Sequence, residues 1–152
     1  MDHASTLSPH EVLEVRDRCL CFAAQRAARR LARRFDLVFR DLGITNGQFS
    51  MMTALSAPRA WKQVELADFL SMDRTTATAA VKALERRGLV TLAPDPKDKR
   101  GRRIVLTSEG RKIVSIAVVR WREEHAALDA EVTSPVAIAA REALRALNRD
   151  RT

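Results

Sequence analysis

Two short helical blocks separated by three residues constrain this chain more than any other feature. "KQVELADFL" carries Leu66, Ala67 and Leu70 on one side, and "RTTATAAVKALERRG" follows after the link "SMD". A connection that short makes the two helices neighbours. Asp73 is placed to cap the second helix and Gly88 to stop it. Ala77, Val81 and Leu84 share one face and are expected to be buried, whereas Arg74, Thr75, Thr78 and Lys82 fall outside that stripe. Threonine is a poor helix former. Its repeated use at 75, 76 and 78 assigns that outer face a task beyond solvation.

The next segment says what the task is. "GLVTL" and "RIVLT" read as strands around "APDPKDKRGRR", which holds Lys97, Lys99, Arg100, Arg102 and Arg103 beside Asp95 and Asp98. Alone, such a hairpin is as well read as a solvated surface turn. Directly after a helix pair with a short, polar, basic outer face, it is the wing of a winged helix-turn-helix. The major groove of DNA, about 12 Å wide, admits one helix, and threonine meets either a base-edge acceptor or a thymine methyl. The basic turn reaches the backbone or a neighbouring minor groove, where narrowed A·T-rich DNA draws in an arginine. Asp98 is placed to hold one arginine extended. The expected fold is therefore mainly α with a small β-hairpin wing.

The flanks look helical. Ser8 caps and Pro9 opens a segment in which Val12, Val15, Cys19, Phe22, Leu31, Phe35, Val38 and Leu42 recur at helical spacing, up to Gly43. One helix of that length spans on the order of 50 Å, longer than a small domain is wide, so its stripe calls for a second copy of the chain. "TNGQFSMMTAL" starts on a capping box, Thr45 with Gln48, and turns Phe49, Met52 and Leu55 inward. After the hairpin a long helix carries Ile113, Ala117, Trp121 and Leu128 on its inner side, and Ser134 with Pro135 starts a last one. The chain, 1–152, reads as one domain: 8–42 and 108–149 as a helical dimerisation region, 45–107 as the winged lobe.

A formal net charge of +8 favours a polyanionic partner. The five glycines, at 43, 47, 88, 101 and 110, form no phosphate-cradling loop, and no nucleophile–base pair is suggested, so no enzyme and no cofactor are expected. His3, His10 and His125 are too scattered for a metal site. No apolar run is long enough to span a bilayer and the start lacks a signal-peptide core, which predicts a cytoplasmic protein without a membrane partner. Cys19 and Cys21, two apart on a helix, point to nearly opposite faces and do not bridge easily.

"LGITNGQFSMMTAL", "ELADFLSMDRTTATAAVKALERRGLV" and "DPKDKRGRRIVLTSEGR", in that order and spacing, resemble the MarR-type bacterial transcriptional regulators. The resemblance runs from "CLCF" to "EEHAALD" and implies a homodimer on a palindromic double-stranded promoter site, usually a repressor released by a small ligand or an oxidant. By position it implies that Arg74, Thr75, Thr76 and Thr78 face DNA and that Asp98 and Arg100 form the wing tip; Lys82, Lys97, Lys99 and Arg102 complete the expected interface. Ala79 and Leu92 stand where the family often has arginines, which shifts expected readout towards Lys82 and the wing. Trp121 and His125, one turn apart, are candidates for an effector pocket: the indole to stack on an aromatic, the imidazole to meet a carboxylate. Cys21 matches the reactive cysteine of the hydroperoxide-sensing branch, with Cys19 beside it, although this chain has no tyrosine to support a thiolate. The alternatives are thus a thiol-based redox sensor and a non-specific basic architectural DNA binder.

Overall fold

The computed structural model describes residues 6–95 and 98–148, with 98–100 described by their backbone alone. Lys97 and the C-terminal limit of the expected dimerisation region, residue 149, lie outside the described residues, as do the side chains of Asp98, Lys99 and Arg100.

The order of elements is α1 (Pro9–Arg18), α2 (Leu20–Val38), a short 3-10 turn (Arg40–Leu42), α3 (Asn46–Leu55), α4 (Gln63–Phe69), α5 (Arg74–Arg86), β1 (Val90–Asp95), β2 (Asp98–Leu106), α6 (Ser108–Val132) and α7 (Ser134–Leu147). Local capping explains most of these boundaries. The Ser8 hydroxyl accepts the Glu11 N–H at 3.2 Å while Glu11 accepts that of Ser8 at 2.7 Å. Thr45 and Gln48 make the same reciprocal pair at the start of α3, as their spacing predicts.

The N-terminal segment is not the single helix its spacing suggests. It breaks at Cys19, whose backbone is extended (ψ 107°) and whose thiol caps α2 by accepting the Phe22 N–H at 3.4 Å. The first helix therefore ends at Arg18, and α2 stops at Val38 before the 3-10 turn. Gly43 does end the segment. It takes a left-handed φ of 66°, and the Arg87 guanidinium caps the carbonyls of Gly43 and Leu42. At the far end the cap of α7 is Thr133, at φ 60°, not Ser134, which is already helical.

Phe35 from α2 and Phe39 just after it, Phe49, Met51 and Met52 from α3, Leu66 from α4, Val81 and Leu84 from α5, Ile104 from β2 and Val114 and Ala117 from α6 form one core. Trp121, expected to face inward, is instead partly exposed. Arg34 ties α2 to α6 through Glu124 and a two-pronged bond to Glu131 at 2.7 Å. Arg120 joins Asp41 and the Val38 carbonyl.

The two strands run further than the sequence reading, β1 to Asp95 and β2 from Asp98. β1 and β2 pair antiparallel from Val90↔Leu106 through Pro94↔Arg102, with a register shift at Pro94/Asp95. A two-stranded ribbon has open edges, and an edge tolerates a proline such as Pro94 within the strand. Trp61 extends the ribbon from the other side, its carbonyl accepting the Ile104 N–H at 2.9 Å.

Candidate nucleic-acid interface

α4 and α5 are joined through Leu70, Ser71 (φ 51°) and Met72, whose N–H returns to the Ala67 carbonyl at 2.9 Å. Asp73 then caps α5, accepting the Thr76 N–H at 2.8 Å. The Thr76 hydroxyl and backbone N–H together hold the Asp73 carboxyl below its ordinary range. Thr76 is thereby turned towards the cap. Arg74, Thr75, Thr78 and Lys82 line one shallow outward surface with Ala79, and Thr76 is not among them. Ala77, Val81 and Leu84 are buried behind it, as their spacing predicts.

Thr78 is half-buried and its hydroxyl is committed: it donates to the Arg74 carbonyl at 2.7 Å and accepts from the Gln63 amide of α4. With that hydroxyl engaged inside the protomer, the methyl is the part of Thr78 left for an apolar contact, the kind of contact that distinguishes a thymine methyl. Thr78→Ser, which removes that methyl, is expected to lower discrimination at a contacted thymine by about 1 kcal/mol, while Thr78→Val keeps it. Competition binding with thymine-to-uracil duplexes checks this; equal selectivity in the serine protein contradicts it.

The wing separates its cations. Arg102 is exposed opposite Pro94. Arg103 is turned inward, with Nε 2.8 Å from the buried Asp95 carboxylate and Nη1 2.6 Å from the Ala60 carbonyl and 3.3 Å from Glu65. Lys62 lies 3.6 Å from the same aspartate. Arg103 thus anchors the wing to the α3–α4 connection instead of facing a partner. The Lys62 backbone N–H, followed by Arg103 and Arg59, holds the Glu65 carboxyl below its usual range. These tethers span up to 43 positions of sequence, and only the fold reveals them.

A second concave site lies between α3, α4 and α6, with a volume of about 580 Å³. Phe49, Ser50, Thr53, Ala54, Ala57, Trp61, Phe69, Val118 and Trp121 line it. Sequence reasoning placed Trp121 there but not Trp61. It also placed His125 there, and the structure does not: the imidazole packs 5.0 Å from the Phe35 ring and edge-on to Trp121 at 4.6 Å, away from the lining. Burial first, then Arg141, pushes its pKa below the ordinary imidazole value. Of the two thiols, Cys19 is tied up in the α2 cap, and Cys21 is exposed and accepts the Gln25 amide at 3.1 Å. Among the described residues no group of three or more His, Cys, Asp or Glu is placed to hold a metal ion, and no helix is long and apolar enough to cross a membrane.

A sequence model of the MarR family matches residues 44–101, the span from the start of α3 into the wing. The solved structure of the Mycobacterium tuberculosis transcriptional regulator MosR in complex with DNA is 34% identical and superposes with a TM-score of 0.75, covering 86% of this chain and 93% of that one. This chain belongs to the MarR family. A second structure with the MarR-like fold, the transcriptional repressor CouR bound to a 23-mer DNA duplex, is 28% identical with a TM-score of 0.80, over 95% of this chain and all of that one. The uncharacterized HTH-type transcriptional regulator YybA of Bacillus subtilis is 31% identical over 90 residues. That match spans 59% of this MarR-family chain and 59% of YybA's length. The relatives are regulators and not enzymes.

Proposed function

We propose that the protein is a homodimeric, sequence-specific DNA-binding regulator of the cytoplasm, acting as a repressor that a small ligand releases. The observation that carries this is the outward surface of α5: Arg74, Thr75, Thr78 and Lys82 share one face, which starts at the N-terminal end of a helix whose dipole favours phosphate. Two relatives were solved on DNA, one of them named a repressor. Lys and Arg contacts to phosphate supply most of the affinity, and the α5 and wing side chains supply discrimination.

The dimer is supported by apolar side chains that the protomer leaves exposed. Val12 and Val15 of α1, Phe22 and Leu31 of α2, and Val136, Ile138 and Leu147 of α7 are all exposed. These belong to the 8–42 and 108–149 regions, which we assign to dimerisation, with 45–107 as the DNA-binding lobe. The cleft beside α3 is the effector site of this reading. A second reading, thiol sensing, is favoured by the exposure of Cys21 two residues beyond the Cys19 break.

The test is equilibrium binding to duplexes from the protein's own upstream region and to shuffled duplexes across a salt series, with and without peroxide. The expected result is two protomers per site, a preference of roughly a thousandfold or more, and a steep salt slope. Arg100→Ala should weaken the specific complex by about 1–3 kcal/mol, the range of a good specific contact. Equal binding to both duplexes would leave only a basic architectural binder, and an affinity unmoved by peroxide would remove the thiol reading.

A further inference from the structure

Resting on the reading of α5 as the DNA-facing helix, we propose that Gln63 of α4 is a positioning residue for base readout. It keeps the Thr78 hydroxyl engaged within the protomer, so that Thr78 meets a major-groove pyrimidine with its methyl group. A helical threonine divides between two χ1 wells, because its hydroxyl can bond back to a carbonyl of the preceding turn. In this chain the choice is fixed from two sides. The hydroxyl has one hydrogen, which goes to the Arg74 carbonyl at 2.7 Å. Only a donor can then face its oxygen, and the donor there is the side-chain amide of Gln63.

Thr75 lies on the same outward surface, and among the described residues its hydroxyl makes no hydrogen bond. The two threonines therefore offer different chemistry. Thr75 keeps a hydroxyl for a base edge or a phosphate oxygen, whereas Thr78 keeps a methyl, and Ala79 on that surface adds another. Apolar contact of this kind distinguishes a thymine methyl. The Gln63 bond is not what packs α4 on α5. Leu66 and Ala67 of α4 are buried, as are Ala77, Val81 and Leu84 of α5, and the Met72 N–H closes the link on the Ala67 carbonyl at 2.9 Å. Loss of the Gln63 donor would instead change what Thr78 offers. Its oxygen would regain an open lone pair, able to accept from the cytosine amino group, and the second χ1 well would become accessible.

The experiment binds the full chain to a duplex from its own upstream region in which thymines are replaced, one at a time, by uracil, which lacks only the 5-methyl group. Replacing the contacted thymine should weaken wild-type binding roughly fourfold, the value of one buried methyl group. Gln63→Met, a side chain of similar length without the donor, should cut that penalty to about twofold or less, with the urea midpoint and the affinity for shuffled duplexes unchanged. Gln63→Glu, which offers only acceptors, should cut it too, and the ratio of two duplexes on one protein cancels its added charge. In a Thr78→Val chain, which has no hydroxyl to hold, Gln63→Met should alter the penalty no further. A full uracil penalty in Gln63→Met, or a loss that persists in the Thr78→Val background, would overturn the assignment. Absence of any uracil penalty in the wild-type protein would overturn it while leaving α5 as the DNA-facing helix. Equal affinity for upstream and shuffled duplexes would overturn both the inference and the reading on which it rests.

Discussion

Replacing Gly110 with alanine is expected to destabilise the protein by about 3 kcal/mol or more, although the same change in a helix usually helps. Gly110 lies in the first turn of α6, where its N–H donates to the Thr107 hydroxyl at 3.0 Å. The helix crosses the start of β1 so closely that a Cβ there would sit 2.0 Å from the Leu89 carbonyl oxygen. That oxygen is fixed, since it also accepts the Thr107 N–H at 3.1 Å. Backbone would have to move at the junction of wing and α6. Gly47 supplies the contrast: in α3 an added Cβ meets only the Thr45 hydroxyl, at 3.9 Å, so Gly47→Ala is expected to be neutral or stabilising by up to about 1 kcal/mol. Urea unfolding at one fixed protomer concentration separates the two. A Gly110→Ala midpoint equal to wild type would contradict the packing described.

The next largest effect is expected at the base of the wing. Arg103→Leu should cost about 3 kcal/mol, the low end for breaking a buried pair, because among the described residues it removes the cation nearest the fully enclosed Asp95 carboxylate while Lys62 stays 3.6 Å away. Arg103→Leu combined with Asp95→Leu should recover much of that loss, since the enclosed charge then disappears as well. The same unfolding measurement, as a double-mutant cycle, tests this. A single variant within about 0.5 kcal/mol of wild type would mean that the pair is not what holds the hairpin against Ala60.

What could be read in advance follows the range of the interaction. The Thr45–Gln48 and Asp73 caps, the Gly43 turn and the buried face of α5 depend on residues within a few positions of one another, and the sequence displays them. The break at Cys19 carries no glycine or proline, and a thiol is a weak cue for a cap. Arg103 looked like one more cation of a basic turn because its partners, Asp95, Glu65 and the Ala60 carbonyl, come together only when the wing docks. Likewise Trp121 and His125 share a face of α6 by spacing. The packing of Phe35 from α2 decides that one ring borders the cleft and the other does not.

Trp61 belongs to two parts of the molecule at once. Its indole forms cleft wall and is hydrogen-bonded to α3, while its carbonyl is hydrogen-bonded to β2 of the wing. A ligand that displaces this residue to loosen the wing meets a thermodynamic reciprocity: whatever factor the ligand takes from operator affinity, operator takes from ligand affinity. Promoter-bound and free protein would then sense the same molecule at different concentrations. The threshold of induction would be set as much by the number of occupied sites as by the cleft itself.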